Sequence, residues 1–469
     1  LSYIRLNKHY IHLPYLFLGA IEFGLLIVAA WGAEWWYTQL NTLVLLWADS
    51  WAPKVLFAVV LSCCTLSMGV YPALVREGYS SMVLRTLVSF FLLASLTLFV
   101  LAALGPEGFL PQGVTFWGVI FSTALVLLAR AIFLKLVDTN ELKRRVVIYG
   151  AGTRAQQLLD NLAPERDVIG VEVVGCIPGE TEAPAVDPAL VMPVPKDWVR
   201  FVKTHHISEI VVSPDERRQR EGGGFPLNEL IDCKLAGVPT SDALGFCERE
   251  LCKIDIRLLK PGWMLFSDGF KYSRRRSAAK RLFDVGLAGI FVLLLWPFML
   301  LTALAVMLES GRPVLYFQER VGLNGKTFRI YKFRSMRQDA EKGGKAVWAQ
   351  KNDSRVTRVG AFIRNTRLDE LPQLYNVLKG DMSFVGPRPE RPEFVEDLSE
   401  QIPFYGMRHK VKPGLMGWAQ LKYPYGASVE DARNKLQYDL YYTKNHSFLM
   451  DMLILIQTVE IVLLGKGVH

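Results

Sequence analysis

Four apolar runs open the chain, roughly Pro14 to Ala33, Val55 to Leu74, Met82 to Leu104 and Val114 to Leu136. Each approaches the ~20 residues a helix needs to cross a bilayer's hydrocarbon core, which predicts a four-helix transmembrane bundle over residues 1–140. The first run is too long and too aromatic for a cleavable signal peptide. Arg5, Lys8, Arg76, Arg85, Lys143, Arg144 and Arg145 mark the N-terminus, the second connection and the exit, whereas Glu34, Asp49 and Glu107 mark the other connections, with Lys54 the nearest exception. By the positive-inside rule both ends of the bundle are cytoplasmic.

The periodicity then changes. Arg145 to Ile148 reads as a buried strand running into Gly150-Ala151-Gly152 and a helical stretch through Leu162, and further strand-like runs follow at Val171 to Ile177 and Glu209 to Ser213. Strands alternating with helical segments predict a Rossmann-like doubly wound domain over residues 141–270. A fifth apolar run, Val285 to Leu308, carries Trp296-Pro297 near its middle. Proline removes a helical hydrogen bond, and Lys280 and Arg281 before the run match Arg312, Arg320 and Lys326 after it. Both flanks therefore read as cytoplasmic, and a re-entrant helix over about 282–308 is expected at the head of a third domain, 271–469.

Composition agrees with partial lipid embedding, at 51% hydrophobic and 12% aromatic residues. Lys and Arg number 54 against 45 Asp and Glu, and the excess clusters beside apolar runs rather than on an element suited to a nucleic-acid groove. Anionic lipid and phosphorylated substrates are the expected partners, and nucleic acid is not. The six cysteines show no metal-ligand spacing or disulfide framework, and His205-His206 reads as a loop pair. Gly150-x-Gly152-x-x-Ala155 fits a dinucleotide turn, but no acidic ribose ligand ends the next strand, so a structural or regulatory domain is expected there.

From Arg312 onward the chain is polar and basic. Asp369 and Glu370 stand side by side, with Arg364 and Arg367 before them and Arg388 and Arg391 after. On one helix, adjacent side chains point ~100° apart, which lets two carboxylates take different roles. Guanidiniums nearby keep a carboxylate ionised and grip phosphate oxygens, and an ionised aspartate binds Mg²⁺ or attacks phosphorus. An acidic helix start with arginines in surface pairs accounts for the same local sequence, and the two readings stay open at this level.

Residues Lys280 to about Gly465 resemble the catalytic domain of bacterial polyprenyl-phosphate hexose-1-phosphate transferases, the monotopic phosphoglycosyl transferases. The resemblance rests on Lys280-Arg281-x-x-Asp284, Gln318-Glu319-Arg320-x-Gly322, Lys332-Phe333-Arg334-Ser335-Met336, Asp369-Glu370-Leu371-Pro372-Gln373, Gly386-Pro387-Arg388-Pro389 and Pro413-Gly414-Leu415-x-Gly417-Trp418. It departs from the family's usual pattern at Trp296 and Met416. The whole architecture is similar to large members that initiate exopolysaccharide or O-antigen synthesis. Cys233 to Gly237 and Trp263 to Gly269 are closer to exopolysaccharide enzymes associated with a protein-sorting system. The resemblance implies that Asp369 attacks the β-phosphate of a UDP-sugar, expelling UMP, and that undecaprenyl phosphate then takes the phosphosugar. Mg²⁺ held by Asp369 and Glu370, phosphate contacts from Arg388, Arg367, Arg364, Lys332 and Arg334, a homodimer, and a bacterial inner-membrane location with cytoplasmic catalysis are also implied.

Overall fold

The computed structural model describes residues 3–6, 9–40, 50–68, 70, 78–106, 109–136, 144–163, 170–180, 182–215, 225–259, 262–263, 267, 269–270, 273–337, 355–423, 426 and 428–464. The chain divides into two compact units, with residues 10–261 the bulk of one and 262–469 the bulk of the other.

In the first unit a strand pair, β1 (Tyr3–Leu6) and β2 (His9–His12), precedes the apolar helices. These are Leu13–Leu40, Trp51–Ser67, the continuous stretch Gly78–Leu87, Val88–Ala94 and Ser95–Leu104, and Gln112–Leu136. Leu16–Gln39, Met82–Leu104 and Gln112–Phe133 are long and apolar enough to cross a membrane. Trp51–Ser67 is shorter, at 17 residues. Most of the remainder of the second expected run, 69 and 71–74, lies outside the described residues. Val88–Ala94 is π-helical, and the Ser95 hydroxyl donates to the Phe90 carbonyl five residues back. Leu26, Phe57, Leu61, Phe90, Leu98 and Val114 belong to one buried cluster. Buried charges on these helices are paired. Arg130, 1% exposed, donates to both carboxylate oxygens of Glu22 at 2.6 and 2.7 Å and to the Thr86 hydroxyl at 2.6 Å. A charge in an apolar environment persists only with such partners.

The same unit carries a four-stranded sheet in the order β4-β3-β5-β6, formed by β3 (Arg144–Tyr149), β4 (Val171–Ile177), β5 (Glu209–Val212) and β6 (Thr240–Asp242). All pairs are parallel, with Tyr149 opposite Ile177 and Val212, and Val212 opposite Asp242. The first strand is interior, so the chain crosses to one side of it and then to the other. The crevice beyond the carboxyl ends of β3 and β5 is where such sheets take ligands.

The second unit opens with the 37-residue helix Arg274–Ser310, which contains Pro297 and is a further candidate membrane helix. Leu293, Leu294, Trp296, Phe298, Leu300 and Leu301 are each more than half exposed, whereas both ends of the helix are tied to one domain. At the leading end, Lys280 pairs with Asp451 at 2.7 Å and Arg281 donates to the carbonyls of Val377 and Leu378. Asp284 accepts from the Ser383 hydroxyl at 3.1 Å and the Phe384 amide at 3.2 Å. At the trailing end, Glu309 accepts from the amides of Arg358 and Val359 at 2.9 and 3.0 Å, capping the helix Arg358–Asn365. The antiparallel hairpin of β7 (Leu315–Val321) and β8 (Thr327–Phe333) follows. Val306, Phe333 and Ile363 are the buried members of the cluster that joins hairpin and helices. A parallel pair, β9 (Ser383–Val385) and β10 (Gly414–Met416), and the helices Val429–Asn445 and Phe448–Leu464 complete the unit.

Candidate active site

Asp369 and Glu370 lie on a 3₁₀ turn, Leu368–Gln373, rather than on an α-helix. The turn follows Arg367, a non-glycine residue in the left-handed region at φ 60°. Held strain of this kind costs about 1–3 kcal/mol and persists where surrounding structure imposes it. One face of the turn packs through Leu368 and Leu371 into the Val306, Phe333 and Ile363 cluster. Beneath it, Asn376, fully buried, accepts from the Tyr331 amide at 3.2 Å and donates to the Arg329 carbonyl at 2.7 Å. This amide extends the edge of β8 and fixes the dyad against Lys332.

The two carboxylates have opposite surroundings. Glu370 Oε1 receives Lys332 Nζ at 2.9 Å and Arg388 Nη2 at 2.9 Å, with Arg367 Nη1 at 4.0 Å. Burial alone would raise the Glu370 carboxyl, but Lys332, Arg388 and Arg367 outweigh it and hold it well below the usual carboxylate range. Asp369 is 8% exposed and has no hydrogen bond to its carboxylate among the described residues. Its pKa is raised, chiefly by burial and also by Glu370, against the pull of Lys332. Lys332 is itself lowered by burial, with Glu370 opposing. Arg388 is raised, first by Glu370. Its side chain is 37% exposed, so guanidinium donors remain open to solvent beside the dyad.

Arg388 reaches Glu370 from a loop whose backbone is clamped at every residue from Val385 to Glu390. The Val385 carbonyl accepts from the Tyr442 hydroxyl at 3.0 Å, Gly386 N donates to Met416 O at 2.9 Å, and Pro387 O accepts from Gly414 N at 3.0 Å. The carbonyls of Arg388, Pro389 and Glu390 accept from Arg408 Nη2 at 2.9 Å, Arg320 Nη1 at 3.2 Å and Val321 N at 2.9 Å. Gly386 and Gly414 face each other so closely that a Cβ on either would collide with the other's backbone or with the Lys412 carbonyl. Two motifs separated in sequence, Gly386-Pro387-Arg388-Pro389 and Pro413-Gly414-Leu415, are thus two sides of one clamp.

The other expected phosphate ligands fall differently. Arg367 is at the dyad, and Arg364 has no side-chain partner among the described residues. Arg334, 7% exposed, donates through Nη2 to the carbonyls of Ser310 and Gly311, both at 2.6 Å. It holds the end of the long helix, and its Nε and Nη1 are buried without partners among the described residues. Asn376, Arg408 and Asp439 escaped the reading of the sequence, which gave Tyr442, with Tyr438, Tyr441 and Trp418, as an aromatic belt or core packing; Tyr442 is buried at 2% exposure. The one signal was a polar residue at a buried position of an otherwise apolar segment, as at Asn376 in Leu374-Tyr375-Asn376-Val377-Leu378.

Among the described residues no group of three or more His, Cys, Asp or Glu side chains gathers to hold a metal. The donors that are present, the open Asp369 carboxylate and the second oxygen of Glu370, fit a magnesium ion, which commonly takes one or two carboxylates and completes its shell with water and substrate phosphate.

The Gly150 turn is filled from within. Asp215, after β5, accepts from Thr153 N at 2.9 Å, Thr153 Oγ1 at 3.0 Å and Arg154 N at 2.8 Å. Glu182, after β4, accepts from Ala151 N at 2.8 Å and Gly179 N at 3.2 Å. A Cβ at Gly152 would strike both carboxylates, and Ala155 is buried in the helix behind them. The amides that a pyrophosphate would need are already donating.

Residues 275–465 match the bacterial sugar transferase family model. The chain is 51% identical over 188 residues to UDP-N-acetylgalactosamine-undecaprenyl-phosphate N-acetylgalactosaminephosphotransferase of Aeromonas hydrophila, covering 40% of this chain and 44% of that protein. It is 44% identical over 193 residues to UDP-glucose:undecaprenyl-phosphate glucose-1-phosphate transferase of Xanthomonas campestris pv. campestris, covering 41% and 40%. The matched part therefore spans less than half the length of these two curated relatives. The exopolysaccharide production protein PSS of Rhizobium leguminosarum bv. phaseoli is matched at 43% identity over 194 residues, 40% of this chain and 97% of that protein.

Proposed function

The chain belongs to the bacterial sugar transferase family, and from that premise we propose that it transfers a sugar 1-phosphate from a UDP-sugar to undecaprenyl phosphate, releasing UMP, as the first step of exopolysaccharide assembly. The observation that carries the reading is the asymmetry of the dyad, one carboxylate locked by two cations and its neighbour left open.

In the proposed reaction an Asp369 oxygen attacks the β-phosphorus of the UDP-sugar. The bond from that phosphorus to the oxygen bridging the two phosphates breaks, and UMP departs with the electron pair. An oxygen of undecaprenyl phosphate then attacks the same phosphorus and displaces the Asp369 carboxylate, giving polyprenyl diphosphate sugar and free enzyme. Glu370 stays ionised and tethers Lys332 and Arg388, whose remaining donors meet the charge that builds on the equatorial phosphate oxygens. The partial burial of Asp369 strips water from the nucleophile, and Lys332 keeps it ionisable. Asp369 and Glu370 would hold a magnesium ion, which would supply neutralisation of substrate charge.

The long helix would dip into the cytoplasmic leaflet and return. Its apolar middle, with Trp296 and Pro297, is exposed, while Lys280, Arg281 and Asp284 at one end and Glu309 and Ser310 at the other are tied to the same domain. A straight span would have to part them. Such a placement puts the dyad at the membrane surface where a polyprenyl phosphate head presents itself. The sheet of the first unit, read as Rossmann-like, serves a structural or regulatory purpose, because its ligand crevice is closed by Asp215 and Glu182.

The test is UMP release by the native chain and by Asp369→Asn, with UDP-N-acetylgalactosamine and UDP-glucose in turn, undecaprenyl phosphate and Mg²⁺. Native turnover with at least one donor and a loss of about 10³-fold or more in Asp369→Asn is expected. Without acceptor, the native chain should release about one UMP per enzyme and gain the mass of a phosphosugar on the peptide bearing Asp369. No UMP from either donor by a folded chain, or equal rates in the two proteins, overturns the reading.

A further inference from the structure

We infer that Arg408 is a positioning residue of the transferase site, acting with Asp439 and through Arg388. The inference rests on the transferase reading and goes beyond it, since Arg408 touches neither carboxylate of the dyad. It lies in the turn Tyr405–Lys410 and is 6% exposed. Four donor contacts run in three directions: Nε and Nη2 on Asp439 Oδ2 at 3.0 and 2.8 Å, Nη1 on the Tyr405 hydroxyl at 2.9 Å, and Nη2 also on the Arg388 carbonyl at 2.9 Å.

Among the described residues, Arg408 is the side chain that grips the backbone of Arg388. Pro387 and Pro389 fix φ on either side, and the neighbouring carbonyls are held from other elements, so rotation about the backbone bonds of Arg388 itself is the remaining freedom of the loop. That rotation would swing a long side chain whose guanidinium must stay within 2.9 Å of Glu370. A charge-assisted bond from a buried arginine, itself anchored to Asp439 at 1% exposure on the helix Val429–Asn445, removes it. Lysine presents one compact cation and lacks the planar fork, so it would keep the charge and lose the geometry. The arrangement sets a rigid, dry support behind a ligand-facing cation that is still partly open to solvent.

A mutant cycle distinguishes positioning through Arg388 from a general contribution to folding. UMP release per folded molecule is measured for the native chain, Arg408→Lys, Arg388→Ala and the double variant, with thermal midpoints recorded for each. If Arg408 acts through Arg388, Arg408→Lys costs about tenfold or more in kcat in the native background but less than about twofold once Arg388 is alanine. Equal fold losses in both backgrounds, or no loss in the native one, overturn the inference while leaving the transferase reading intact. Absence of UMP release from the native chain overturns both. Should Arg408→Lys fail to fold, Asp439→Asn, which keeps the volume and removes the charge that anchors Arg408, goes through the same cycle with the same expectation.

Discussion

Two places in the molecule carry the grammar of phosphate recognition, and they are finished in opposite ways. At the Gly150 turn the donors are backbone amides at the end of a parallel strand and the start of a helix, and the chain supplies its own anions, Asp215 and Glu182. At the dyad the fixed anion is Glu370, and the chain surrounds it with more cationic capacity than it consumes, from Lys332, Arg388 and Arg367. The first site is electrically closed and the second has donors to spare. The two places therefore differ in the balance of donors left over after the chain has satisfied itself, and glycine spacing alone does not report that balance.

The contrast is broken most forcefully at Glu370. Replacing Glu370 by Gln removes the charge that holds Lys332 and Arg388 and leaves a buried cation short of its counterion. We expect kcat for UMP release to fall by about 10²–10³-fold, and a loss under about threefold would mean the cations need no anchor.

The closed site should respond in another currency. Asp215→Ala uncovers Thr153 N and Arg154 N, as loss of a helix cap does, and should lower stability by about 1 kcal/mol while UMP release stays within about twofold of native. A tenfold loss of turnover in a folded Asp215→Ala chain would show that the turn bears on catalysis.

The smallest effect is a pH dependence at the same carboxylate. Burial would raise Asp215, but the amides of Arg154 and Thr153, the Thr153 hydroxyl and the Arg154 charge hold its pKa below the ordinary 3.8. A depressed folded-state value means that its contribution is whole above 3.8 and is lost as pH falls through the lower folded value. Hydrogen exchange at the Thr153 and Arg154 amides, corrected for intrinsic rates, should show protection that is flat at pH 5 and above and declines below 3.8. Protection that stays constant down to pH 2.5 would show that the Asp215 charge is immaterial to the cap.

Much of this was written in the order of residues. Hydropathy located the apolar helices because a bilayer demands long uninterrupted apolar runs, and periodicity of two against 3.6 separated strands such as Val171–Ile177 from helices such as Thr153–Leu162. The adjacency of Asp369 and Glu370 and the arginines around them left phosphate chemistry and an acidic helix start with surface ion pairs both open. Sequence could not say that the dyad sits on a 3₁₀ turn, that Arg334 binds a helix end, or that Arg130 pairs with Glu22 across 108 positions. Nor could it show Arg408 behind Arg388, or Asp215 reaching across from β5 to close the Gly150 turn. Local propensity and solvent preference are properties of neighbours in the chain, so the sequence alone carries them. Which carboxylate is locked and which is free depends on charges brought together from distant segments, and only the folded chain makes them neighbours.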